Sequence, residues 1–141
     1  MGREEREELI RRLSAEYLIL RNLIQELRRR AEILNRLLVE IDDTLSSLEG
    51  VKGLRDKDLV LFSIGSMSYV RGKIVDKDKI LVNVGAGVVV EKTIDEAIEY
   101  LRDRQKNIQL ELRTVIAQLQ QASARLSEVE GVLEREAKGT S

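Results

Sequence analysis

Apolar side chains in the first third of the chain fall at Ile10, Leu13, Tyr17, Leu20, Ile24, Leu27, Ala31, Leu34, Leu38, Ile41, Leu45 and Leu48, in alternating steps of three and four. That spacing keeps one stripe of an α-helix apolar and is the heptad pattern of a coiled coil. Neither Gly nor Pro interrupts the run between Arg3 and Glu49, so the pattern predicts a helix over about 4–49 that Gly50 and Gly53 bring to an end. A second helix is predicted over about 94–136. It opens on Thr93-Ile94-Asp95-Glu96, a capping box in which hydroxyl and carboxylate satisfy each other's backbone N–H groups. Its seam runs through Ile94, Ile98, Leu101, Gln105, Ile108, Leu112, Val115, Leu119, Ala122, Leu126, Val129 and Leu133. Gln105 alone is polar there; it either fixes register at a cost in stability or extends its amide to water.

Between the helices the period changes. Leu-Val-Leu-Phe-Ser-Ile (59–64), Tyr-Val-Arg-Gly-Lys-Ile-Val (69–75), Lys-Ile-Leu-Val-Asn-Val (79–84) and Val-Val-Val-Glu (88–91) are β-branched and apolar, and turn-forming residues separate them. Two β-hairpins are predicted over about 58–92, reversing at Gly65-Ser66-Met67-Ser68 and Gly85-Ala86-Gly87 and joined through Asp76-Lys77-Asp78.

The two seams are nearly equal in length and meet at the same β block, so helices that pair with each other run antiparallel with both chain termini at the far end. Roughly 40 residues of helix make a rod of about 60 Å. The expected architecture is α+β: a long antiparallel two-helix coiled coil, in one domain over 1–141, with two β-hairpins at its base. Isolated hairpins are marginal in water, and open strand edges recruit other chains, so the base is expected to form part of an oligomeric β-barrel. The strand residues expected to carry that assembly are Leu61, Ile80, Val82, Val84, Val88, Val89 and Val90.

Composition reinforces the elongated reading. Of 141 residues, 35% are charged and only 3% aromatic, too few bulky apolar groups for a compact globule of this size. The absence of His and Cys removes imidazole acid-base and thiol chemistry and the usual zinc ligands, so no enzyme, metal or cofactor is expected. A net charge of -1 gives no field for nucleic acid or anionic membrane, and no apolar run approaches the ~20 residues of a membrane span. The charged opening Met-Gly-Arg-Glu-Glu-Arg-Glu-Glu lacks a signal-peptide core, so a cytoplasmic location is expected. Gly85-Ala86-Gly87 lacks the further residues of a phosphate loop and reads as a turn. Arg28-Arg29-Arg30 is flanked by acidic residues without interleaved aromatics and reads as a solvated helix face. Asp42, Asp43, Asp76 and Asp78 read as surface and turn residues.

Apolar residues off the seam point to a partner. Leu18, Ile19, Ile33 and Val39 fall on the outer side of the first helix, and Leu9, Leu23 and Leu37 widen its stripe. Near the chain ends Leu9, Ile10, Leu13, Tyr17, Leu18 and Ile19 are expected across from Val129, Val132 and Leu133. These nine form the candidate tip for binding unfolded protein, with Leu18 and Ile19 the members least explained by packing within the stalk.

The order long helix, two hairpins, long helix resembles the archaeal prefoldin alpha subunit over nearly the whole chain. The resemblance is most specific in Gly72-Lys73-Ile74 and in Val84-Gly85-Ala86-Gly87-Val88-Val89-Val90-Glu91-Lys92-Thr93-Ile94; two hairpins rather than one look like the alpha type. It implies a hexamer of two alpha and four beta-type subunits with a double β-barrel base. It also implies ATP-independent capture of unfolded polypeptides and their delivery to a group II chaperonin. A filament or scaffold subunit assembled through the same hairpins is the alternative.

Overall fold

The computed structural model describes residues 2–139. The elements follow in the order α1 (Arg3–Lys52), β1 (Val60–Gly65), β2 (Ser68–Gly72), β3 (Ile80–Gly85), β4 (Val88–Lys92) and α2 (Ile94–Gly139). The chain forms two compact units, one of residues 1–37 with 108–141 and one of residues 38–107.

In the first unit α1 and α2 pair antiparallel. Arg6 meets Glu136, Glu16 meets Arg125 and Arg30 meets Glu111, so partner numbers fall on one helix as they rise on the other. The seam residues Leu13, Ile24, Leu27 and Leu34 are buried, as are Ile108, Val115, Ala122 and Val129 of α2. Every seam position expected from the heptads from Leu13 onward is buried or half-buried in this unit. The period of three and four has therefore been read by packing as it was by pattern.

In the second unit the remaining helix lengths pair in the same sense, through Asp42 with Gln105, Glu49 with Arg102 and Lys52 with Asp95. The Gln105 amide donates to the Asp42 carboxylate at 3.1 Å and its residue is half-buried, which joins the two helices at the one polar seam position. The core gathers Leu48, Val82, Ile94, Ala97 and Ile98, with Leu45, Val51, Ile80, Val84, Tyr100 and Leu101 packed against it. Ala97 is 0% exposed. It lies outside the expected seam, and its small side chain is what the tight packing at the start of α2 requires.

The hairpins form two separate two-stranded sheets, β1–β2 and β3–β4. Their registers are copies of each other: Val60↔Gly72, Phe62↔Val70 and Gly65↔Ser68 become Ile80↔Lys92, Val82↔Val90 and Gly85↔Val88, each number raised by 20. Both ladders slip at the same place, between Ser63 and Gly65 and between Asn83 and Gly85. Both reverse over two residues of positive φ, Ser66 (46°) with Met67 (59°) and Ala86 (50°) with Gly87 (76°), the primed turn whose twist suits a hairpin. In the second copy the Asn83 carboxamide oxygen accepts from the Gly85 N–H at 2.9 Å and closes the bulge.

Three boundaries differ from expectation. Gly50 does not end α1; the helix runs through it to Lys52, and the reversal comes at Gly53, whose N–H still donates to the Glu49 carbonyl. β2 ends at Gly72 rather than Val75, because its partner Val60 is the first residue of β1 and the chain before it is turned through Arg55–Asp58. α2 continues to Gly139 rather than 136. The capping box forms as expected: Thr93 N–H donates to the Glu96 carboxylate at 3.1 Å, and Glu96 N–H donates to the Thr93 hydroxyl at 3.2 Å. These bonds to Thr93 hold the Glu96 carboxyl below its ordinary range.

Candidate interaction surfaces

At the end of the first unit where Arg6 meets Glu136, the nine expected tip residues separate by depth. Leu13 and Val129 are buried, Val129 to 1% exposure, and belong to the seam. Leu9, Ile10, Tyr17, Val132 and Leu133 are half-buried. Leu18 and Ile19 stand 61% and 67% exposed on the outside of α1. Tyr17 and Leu133 meet across a shallow depression also lined by Glu130 and Glu134, and the Arg21 guanidinium lies 5.7 Å from the Tyr17 ring centre.

Next to it is a groove that pattern reading did not assemble. Leu20, Leu23 and Leu27 of α1 face Gln118, Gln121, Ala122 and Arg125 of α2. Its end is fixed by charge: Arg125 donates to both carboxylate oxygens of Glu16, at 2.6 and 2.9 Å, and to Glu128 at 3.1 Å. The Arg125 bonds depress the Glu16 carboxyl, and Glu16 and Glu128 together hold Arg125 above its ordinary range.

In the second unit the seven expected assembly residues also divide. Ile80, Val82 and Val84 already rest on the protein's own helices, Val82 within the buried core. Leu61, Val88, Val89 and Val90 are uncovered. The uncovered set extends to residues not singled out from the sequence: Phe62, Ile64, Tyr69 and Val70 on β1 and β2 and Leu81 on β3. The Phe62 ring packs over Gly72 of its own hairpin, where an added Cβ would come within 2.9 Å of it. The loops that carry the hairpins are pinned to the end of α1. Lys77 donates its ammonium to the carbonyls of Lys52 and Leu54, satisfying groups left open where the helix stops. Lys52 pairs with Asp95 at 2.8 Å, which raises the Lys52 pKa and joins the negative end of α1 to the positive end of α2.

Among the described residues no group of three or more acidic side chains is placed to hold a metal, and no helix is long and apolar enough to cross a membrane. Two helices paired through apolar seams, with two hairpins whose apolar faces are only half covered, define an α+β coiled-coil fold. The chain belongs to the prefoldin family: the Prefoldin subunit family model matches residues 20–139. Prefoldin alpha subunits are among its relatives. The prefoldin subunit alpha of Thermofilum pendens is 31% identical over 119 residues, covering 84% of this chain and 92% of the relative. That of Pyrococcus horikoshii is 34% identical over 121 residues, covering 85% and 82%. Among solved structures, filamentous PFD from Methanocaldococcus jannaschii superposes with a TM-score of 0.66 at 23% identity, covering 89% of this chain and 98% of that one. Prefoldin family proteins are chaperone subunits rather than enzymes.

Proposed function

We propose that the protein is a single-domain alpha-type subunit of an ATP-independent cytoplasmic holdase. It gathers unfolded polypeptide on the apolar end of its first unit and passes it to a group II chaperonin. The observation that carries the reading is the graded apolar surface there: Leu18 and Ile19 exposed, and Leu9, Ile10, Tyr17, Val132 and Leu133 half-buried. Such a patch binds without sequence preference. If each copy contributes roughly 1 to 2 kcal/mol of apolar contact, several copies acting together hold a client that one would release. Assembly supplies the copies. The uncovered hairpin residues Leu61, Phe62, Val88, Val89 and Val90 pair with other subunits, in the expected arrangement two alpha with four beta-type subunits around a closed barrel.

The test is a combined Leu9, Ile10, Val132 and Leu133 to Ser variant. It keeps its oligomeric mass and most of its helicity but loses suppression of aggregation of guanidine-unfolded citrate synthase; full suppression by the intact variant oligomer refutes the client-binding role. A second reading, a filament-forming subunit, is compatible with the fold shared with a filamentous neighbour. Native mass measurement with and without a beta-type subunit separates the two, giving a discrete hexamer or a ladder of polymers.

A further inference from the structure

The paired helices end in a contact that 130 residues of sequence separate. Arg6 Nε donates to a Glu136 carboxylate oxygen at 2.6 Å, and Arg6 Nη2 donates to the Glu136 backbone carbonyl at 3.1 Å. That carbonyl belongs to the last described turn of α2, so Arg6 bonds both the side chain and the backbone of one residue across the helix pair. Its positive charge also faces the negative end of the α2 dipole. The guanidinium has room because position 139 is Gly: a Cβ there would lie 2.8 Å from Nη2. Just inside this contact come Leu9 and Ile10 on α1 and Val132 and Leu133 on α2, and then the buried Leu13 and Val129. One more feature weakens the same stretch. Gly131 lies within α2 beside Val132, and nothing lies within 4 Å of where its Cβ would be. Glycine there serves no close packing and leaves the last two turns intrinsically frail.

We infer that Arg6 and Glu136 form a clasp that sets how far the helix ends separate and hence how much apolar surface, Leu13 and Val129 included, is offered to a client. The inference rests on the client-binding role proposed above. The clasp holds the ends together, Gly131 lets them fray, and the balance makes capture adjustable: screening the ion pair with salt opens the seam and strengthens holding.

The experiment uses the full chain in its assembled form. Arg6→Ala speeds amide exchange over 126–139 by roughly twofold to fivefold and raises retention of guanidine-unfolded citrate synthase by a similar factor. Gly131→Ala, which fits without a clash, slows exchange and lowers retention, a direction opposite to Arg6→Ala that a general loss of stability does not produce. Arg6→Lys, which keeps the charge but cannot bond carboxylate and carbonyl with one fork, falls between wild type and Arg6→Ala. Raising salt from low to high increases client retention by the wild type and leaves Arg6→Ala unchanged. Retention unchanged or lowered in Arg6→Ala, or exchange unaltered, overturns the clasp. If the four-Ser tip variant keeps full aggregation suppression, the client-binding role fails and the gating falls with it. Exchange in Arg6→Ala then reports separately whether the clasp holds the helix ends.

Discussion

Phe62 in the first hairpin and Val82 in the second occupy the same register position, opposite Val70 and Val90, yet Val82 is 8% exposed and Phe62 42%. The strands are alike in length, pairing, bulge and turn. What differs is the chain that follows. After β4, Thr93 and Glu96 cap a helix at once, and its first turn brings Ile94, Ala97 and Ile98 against the hairpin. After β2 the corresponding residues are Lys73 and Asp76, which make no such box; Asp76 instead accepts from the Asp78 N–H and closes a turn. Burial of a two-stranded sheet is therefore decided here by a helix cap outside it. One face of the second hairpin is covered by its own chain, and the matching face of the first is not.

The largest expected effect breaks this symmetry directly. Val82→Asp puts an unpaired charge in the core and is expected to cost about 3 kcal/mol or more, seen as a lower denaturation midpoint of the unassembled chain. Phe62→Asp at the matching position costs about 1 kcal/mol or less in the same measurement but abolishes the assembled mass in sedimentation. Val89→Asp, on the other and uncovered face of the second hairpin, behaves like Phe62→Asp. Equal destabilisation by Val82→Asp and Phe62→Asp would mean that the two hairpins are not differently covered.

Next in size is Ala97→Leu. The site has no spare volume, so overpacking costs about 1 to 3 kcal/mol and raises amide exchange in β3 and β4 while leaving β1 and β2 unchanged. Increased exchange in both hairpins would show that Ala97 does not act through the second alone.

How much of this was legible in the chain depends on the element. Heptads declare themselves because one wrong step would put a charge in the seam, and both helices and their capping box were readable from residue type and spacing. The hairpins were legible as hairpins but not as faces. Val-Leu-Phe and Ile-Leu-Val are apolar at consecutive positions, so alternation gives no direction, and Ile80, Val82 and Val84 could not be told from Leu61. Ala97 escaped because an alanine carries almost no weight in a hydrophobic pattern although it fills the tightest place. Gly50 misled because glycine is only a modest cost inside a long packed helix. Arg6 and Glu136 were out of reach, since an exact partner across an antiparallel pair depends on register that the seams leave free by a turn.

A smaller effect compares the turns. Gly87→Ala forces a side chain into φ of 76° and is expected to cost about 1 kcal/mol by chemical denaturation. Met67→Gly in the first hairpin, at φ of 59°, gains less than that, because glycine loses more backbone freedom on folding. A stabilised Gly87→Ala would show that the second turn does not need its left-handed backbone.

The smallest effect is one of pH and concerns the cap that separates the hairpins' fates. Glu96 is held below its ordinary 4.5 chiefly by the bonds to Thr93, so its carboxylate is favoured in the folded chain relative to the unfolded one. A depressed carboxyl contributes stability that is present above the unfolded value and is lost as pH falls through the lower, folded one. Melting followed from pH 7 downward should therefore show an acid-linked loss beginning near 4.5, part of it belonging to Glu96 and part to Glu16 through Arg125. Glu96→Gln keeps an oxygen that can accept from Thr93 N–H but cannot titrate, so its profile loses the Glu96 part and keeps that of Glu16. Thr93→Lys, which writes the residue of the first hairpin into the second, removes the hydroxyl that anchors Glu96 and flattens the same part of the curve while lowering stability at neutral pH as well. If Glu96→Gln and wild type lose stability in parallel down to pH 3, the carboxylate is not what holds the start of α2 in place, and the different fates of the two hairpins must come from Ile94, Ala97 and Ile98 alone.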